Sequence, residues 1–482
     1  MMEYSHSLPA LLLAGSLMAA PAGAQVPSAP PIQQFIRVDA PVVALEHVRV
    51  IDGTGAAARE NQTVILSAGK IQAIGDAAST TPPAGAQALD LTGYTVIPGL
   101  VGMHDHFFYP TGAGGYPITY AELGSSAPRL YLAGGVTTLR TTGSIEPYTD
   151  IEIKHLIDAG KLPGPHMVIT GPYLEGPGAF TPQMHQLTGP EDARRLVDYW
   201  ADAGATTFKA YMHITRAELA AAIEAAHARH LTVTGHLCSI GFREAAELGI
   251  DDLEHGLEVD TEFDPQKQPD VCPPGAETTK ALLGLDVNGA EARQTIETLV
   301  QHHVALTSTL PVFETGVPNR PPLEPRVLAV MTPQAREAYL ARRALIGQEE
   351  NPPSAALFAK ELQFEREFAE AGGLLLAGLD PTGYGGVVPG FGDQREVELL
   401  VEAGFTPLEA IHVATENGAK FLHLDGELGT LAPGKAADLV VIHGDPAANI
   451  ADIEKVELVF KDGVGYDSAR LIESARDSVG LH

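Results

Sequence analysis

A chain of 482 residues with 45% hydrophobic side chains can bury a large core, and its length suits a long barrel with an accessory domain. Its 61 acidic and 31 basic residues give a formal net charge of −30 with no Lys/Arg cluster, so nucleic acid or an anionic membrane would meet a repulsive field. A small-molecule partner remains as the expectation, with homo-oligomerisation left open.

Residues 8–20 are apolar but too few to span a bilayer, and Ala22-Gly23-Ala24 before Gln25 fits the small-x-small pattern of signal cleavage. A signal peptide over 1–24 is therefore expected, and a periplasmic or secreted location with it, although the first seven residues lack the usual Lys or Arg. A Pro-rich flexible leader is expected over 25–40. No later segment is long and apolar enough to cross a membrane, so no membrane partner is expected after signal removal. The two cysteines, Cys238 and Cys272, fit a disulfide in an oxidising compartment and equally fit two buried thiols.

From 41 to 97, short apolar runs broken by turns read as strands, and a similar stretch returns over 425–475, so both termini are expected to build one β-sandwich. Between them, over 98–424, eight apolar runs alternate with helical segments: 96–106, 136–144, 166–174, 206–212, 231–236, 251–256, 304–310 and 374–381. That alternation predicts an α/β fold, a (β/α)₈ TIM barrel. Thr215 with Glu218, and Thr406 with Glu409, predict capping boxes at two helix starts. The long connections 257–301 and 311–373 follow the sixth and seventh strands, where barrel active sites lie, and are expected to roof the pocket.

Six residues stand at or near the C-terminal ends of these strands: His104 and His106 on the first, Lys209 on the fourth, His236 on the fifth, His255 on the sixth and Asp380 on the eighth. The period of a strand aims His104 and His106 at one face and turns Asp105 away. Singly, each histidine is an ordinary core or capping residue, Lys209 a solvated lysine and Asp380 a turn aspartate. Six such residues in barrel order make a metal centre the better reading.

With these residues in place, the chain resembles the metal-dependent amidohydrolase superfamily, in its group related to imidazolonepropionase-like hydrolases and binuclear prolyl-dipeptide hydrolases. The likeness covers nearly all of the chain after the leader and rests most on Pro98-Gly-Leu-Val-Gly-Met-His104-Asp-His106 and on Gly429-Thr-Leu-Ala-Pro-Gly-Lys435-Ala-Ala-Asp438-Leu-Val-Val. The resemblance implies that Lys209 carries a carboxylate made from CO₂ and bridges two divalent metals, with His104, His106 and Asp380 on one and His236 and His255 on the other. Charge supports the implication, because an ammonium between two dications would be repelled, whereas a carbamate supplies oxygen donors. Imidazole and carboxylate donors suit Zn²⁺, and Mn²⁺, Co²⁺ and Fe²⁺ accept the same types.

The expected chemistry is hydrolysis of an amide or peptide C–N bond by metal-activated hydroxide, with Asp380 carrying the proton to the leaving nitrogen. A small dipeptide or N-acyl amino acid is the expected substrate. Alternatives are a cyclic amide, a lactone or an aryl amide of the ochratoxin kind, then a mononuclear deaminase or a non-catalytic binding protein. Tyr211, placed by strand period with His213 on the face of Lys209, is a candidate oxyanion donor. His185, in the loop after the third strand, resembles a substrate-contacting histidine of relatives.

Overall fold

The computed structural model describes residues 32–111, 119–350, 352–382 and 385–480. The expected signal peptide lies outside them. The expected leader is structured from Ile32 onward: a short 3₁₀ turn leads into strand Ile36–Val38, which pairs with Val464–Asp467 and buries Val38. Pairing with a strand from the far end of the chain could not be read from this Pro-rich composition.

Eight parallel strands form the barrel: β1 Leu100–Gly102, β2 Val136–Arg140, β3 His166–Val168, β4 Thr207–Ala210, β5 Thr232–Gly235, β6 Asp252–Glu254, β7 Ala305–Ser308 and β8 Leu375–Ala377. β1 to β3 pair in one run and β4 to β8 in another. Single bridges at Thr170–Thr207 and Leu174–Ala210 join β3 to β4. The Met103 N–H donates to the Ala377 carbonyl at 2.8 Å and closes β8 onto β1. With helices between successive strands, this is the (β/α)₈ barrel that the alternation of apolar runs predicts. The two capping boxes form as expected, Thr215 with Glu218 and Thr406 with Glu409.

The apolar run 96–106 is shared between two sheets. Tyr94–Pro98 pairs antiparallel with Leu439–His443, and only beyond Gly99 does the chain enter the barrel as β1. Strand Leu439–His443 belongs to a nine-stranded sheet made from both ends of the chain. Leu439 and Val441 join Leu45, Leu66, Leu458 and Phe460 in a core of its own, while Val440 and Ile442 join the barrel's core. One face of this sandwich sheet thus closes on itself and the other packs against the barrel, as the strand period of two allows.

Among the described residues, none from the long connections lines the pocket, where a roof was expected, although the Phe313 ring stands 5.9 Å from that of His255. Helices Gly275–Gly284, Ala290–Gln301, Pro333–Ile346 and Pro353–Glu370 fill them, and the last buries Phe364 and Phe368 in the barrel's core. Their amphipathic faces are consumed by that packing. Cys238, after β5, and Cys272 in the first connection are joined in a disulfide with a Cα–Cα distance of 4.9 Å.

Candidate metal centre

His104 and His106 follow β1, and Lys209, His236, His255 and Asp380 stand on or just after β4, β5, β6 and β8, so parallel strand order carries all six to one mouth. All six line one small cavity. Asp105, just beyond the end of β1, is buried near Asp393 and does not line the cavity.

Three histidines are oriented from behind. The His104 Nδ1 lies 2.6 Å from Glu254 Oε2, His106 Nδ1 donates to the carbonyls of Thr141 and Gly143 at 2.9 and 3.1 Å, and His255 Nδ1 lies 2.7 Å from Thr309 Oγ1. With the proton on Nδ1, each Nε2 presents a lone pair to the cavity. Burial, joined by the positive charge of Lys209, holds His104 and His106 well below the ordinary histidine range and brings His236 down to about 3. Burial does the same to His255. Neutral imidazoles are the ligating form.

The facing atoms are spaced for a cation between them. Asp380 Oδ1 is 3.7 Å from His106 Nε2, and Oδ2 is 3.8 Å from His104 Nε2 and 3.9 Å from His255 Nε2, all too long for hydrogen bonds. Two donors each about 2.1 Å from one ion at a tetrahedral angle stand roughly 3.4 Å apart. His255 Nε2 is buried without a hydrogen-bond partner, an orphan that a metal would satisfy. The donor set fits a divalent metal.

Lys209 is 1% exposed, with Nζ 3.0 Å from His104 Nε2. Burial, against the pull of Glu254 and Asp380, brings its amine down to about 8. Burial raises Asp380 to about 6 despite the opposing pull of Lys209. His255 and Asp380 have φ of 70° and 51°, left-handed values uncommon outside glycine. That backbone turns both side chains inward where their strands end, the kind of strain that collects at functional sites.

Beneath the pocket lies a polar layer that sequence reasoning missed. Arg140 is fully buried, and its Nη2 donates to Asp252 Oδ2 at 2.7 Å and Glu254 Oε1 at 3.0 Å, with Thr234 and Thr307 closing the network. A signal was present: Asp252 and Glu254 stand two apart on either side of Leu253 in one strand, so both face the same side.

The two secondary candidates part company. Tyr211 lines the cavity, its ring 4.9 Å from that of His236. His185 stands outside the lining, half exposed, with Nε2 3.0 Å from Asp192 Oδ2 in the first turn of helix Pro190–Ala203. His213 also leaves the face of Lys209, because β4 ends at Ala210 and the following turn hands its backbone N–H and ring to Glu175.

Residues 95–464 match the sequence profile of the amidohydrolase family. Among solved structures, a candidate prolidase from Bifidobacterium longum is 25% identical, with a TM-score of 0.64 and coverage of 90% of this chain and 98% of that one. The ochratoxinase of A. niger shares the fold at 18% identity and a TM-score of 0.61, covering 91% of this chain and 99% of its own. Among curated proteins, an adenine deaminase of Clostridium botulinum (strain Loch Maree / Type A3) is 41% identical over 69 residues, 14% of this chain. The chain spans only 12% of that relative's length.

Proposed function

This chain belongs to the amidohydrolase family of metal-dependent hydrolases, and on that premise we propose that it cleaves an amide C–N bond of a small molecule at a binuclear centre. The observation that carries the reading is the convergence of four imidazoles, Lys209 and Asp380 on one pocket. His104, His106 and Asp380 would hold one ion, His236 and His255 the other, and a carboxylated Lys209 would bridge them. When bound, two divalent ions, Zn²⁺ by donor type, would polarise the scissile carbonyl and lower the pKa of water.

The chain's own residues then supply orientation and proton transfer. Asp380, whose carboxylate faces His104, His106 and His255 across the pocket, can accept a proton from the attacking water and pass it to the leaving nitrogen. Tyr211, which lines the pocket, would donate its hydroxyl proton to the developing oxyanion. Glu254, through His104, is a positioning residue. A dipeptide, an N-acyl amino acid and an aryl amide all offer the required bond.

Export is part of the proposal. The apolar segment 8–20, the Ala22-Gly-Ala24 site and the Cys238–Cys272 disulfide support an oxidising compartment, where the mature protein would start at Gln25.

The test is metal content measured beside turnover. Purified protein is expected to hold about two ions per chain, Lys209→Ala about one or fewer, and Asp380→Asn to lose about 10³-fold or more in kcat/KM. About one ion in the parent would favour a deaminase-like centre, and full activity in Asp380→Asn would remove the assigned proton carrier.

A further inference from the structure

Beside the six polar groups, the pocket wall is aromatic. Phe108, Tyr120, Tyr173 and Met184 are buried as a cluster separate from the barrel core, with Phe180 and Tyr211 packed against them. Their rings run on without a break: Phe108 to Tyr120 at 5.0 Å, Tyr120 to Phe180 at 6.2 Å, Phe180 to Tyr211 at 5.7 Å and Tyr211 to Tyr173 at 4.8 Å. Phe108 also stacks on His106 at 4.4 Å, so the wall begins at the edge of the proposed metal centre.

Among the described residues, the same wall offers no basic side chain aimed at an anion. Lys209 is the single Lys or Arg among the described lining residues, and its Nζ faces His104. Segments 107–125, 141–150 and 381–390, which follow β1, β2 and β8, contain no Lys, Arg or His in the sequence. The loop 175–189 after β3 contains only His185, which Asp192 holds away from the lining. A carboxylate brought here would lose its hydration with no guanidinium or ammonium to replace it, inside a chain of formal charge −30. A flat uncharged ring would instead meet π-faces and edges at stacking distance.

We infer that this wall selects an uncharged aryl group in the substrate and disfavours a free carboxylate on that side, with Phe180 a specificity-determining residue. The inference rests on the reading above that an amide carbonyl is presented to the centre. It narrows the substrate from dipeptides and N-acyl amino acids to neutral aryl amides. Phe180 is decisive because it bridges Tyr120 and Tyr211 and, like Tyr211, is only half-buried, so its ring is within reach of a ligand.

The experiment measures calorimetric binding of benzamide, acetamide and 4-carbamoylbenzoate to the metal-loaded full chain, beside hydrolysis of acetanilide and 4-acetamidobenzoate. Benzamide is expected to bind at least about tenfold more tightly than either competitor, and acetanilide to exceed 4-acetamidobenzoate in kcat/KM by a similar factor. Phe180→Ala should bring the benzamide to acetamide ratio close to one, and Phe180→Leu, which keeps most of the volume, should give an intermediate ratio if the alanine variant fails to fold. Equal or tighter binding of 4-carbamoylbenzoate, or a ratio unmoved in folded Phe180 variants, would overturn the inference. If the binding preference holds while no amide is hydrolysed, the wall stands and the hydrolase reading falls.

Discussion

Glu254 illustrates how much of this site is decided by single buried groups. Its Oε2 fixes the His104 imidazole and its Oε1 meets Arg140, so one carboxylate ties a proposed ligand to the barrel's interior. Glu254→Gln would keep the volume and remove the charge that holds Nδ1 protonated. A loss of roughly 10–100-fold in metal affinity is expected, read by chelator competition, against a change of a few-fold at an exposed acid such as Glu247. Unchanged affinity would mean that the charge of Glu254 does not hold His104 in its ligating form. His104 and His106 were legible because their motif ends an apolar run; Glu254 was not, because a residue that supports a ligand has no motif of its own. Gly378 is similar: a side chain there would collide with the backbone and Cβ of His104, which explains a glycine where β8 approaches β1.

At the scale of elements, helix Pro353–Glu370 has an unusual inner face. Glu361 and Glu365 are fully buried, and a single hydroxyl, Ser308 Oγ, lies 2.9 Å from Glu365 Oε2 and 2.5 Å from Glu396 Oε1. One hydroxyl proton cannot serve two anions, so one of these carboxyls must itself be protonated to donate. Burial, with the neighbouring carboxylates, pushes Glu361 and Glu365 well above the usual range and Glu396 up to about 8. Acids with raised folded-state values stabilise fully below the unfolded value of about 4.5 and lose that contribution as pH rises through the folded values. Glu365→Gln is therefore expected to melt higher than the parent at pH 8 and to show little or no advantage at pH 5. Scanning calorimetry at the two pH values reads the sign, and an advantage larger at pH 5 would show that the carboxyl is not protonated in the fold. The helix's apolar stripe was visible in sequence, but not that its acids turn inward, since periodicity cannot tell a solvated acid from one that faces Ser308.

At the scale of the whole molecule, the nine-stranded sheet and the Cys238–Cys272 bridge hold distant parts of the chain together. The bridge spans 34 residues and ties the turn after His236 to the connection beyond β6. Loop-closure entropy for that span is worth about 3–4 kcal/mol at most. Reduction, or Cys272→Ser, should lower Tm by several degrees and should loosen the 257–274 region first, read by hydrogen exchange. An unchanged Tm under reducing conditions would show that packing alone fixes the turn.

By itself the sequence determined the alternation of strands and helices, the barrel, and the order in which the six candidate residues stand around its mouth, because apolar periodicity and strand order are local properties that a closed parallel sheet converts directly into position. Tertiary structure alone decided that the run 96–106 changes sheets at Gly99, that Cys238 meets Cys272, and that Arg140 and Glu254 lie under His104. It also decided that helices of the long connections pack into the barrel's core while the loops after β1 and β3 build an aromatic wall. Each of these depends on which surfaces meet across a large separation in sequence, and a pattern read along one chain carries no record of what packs against it.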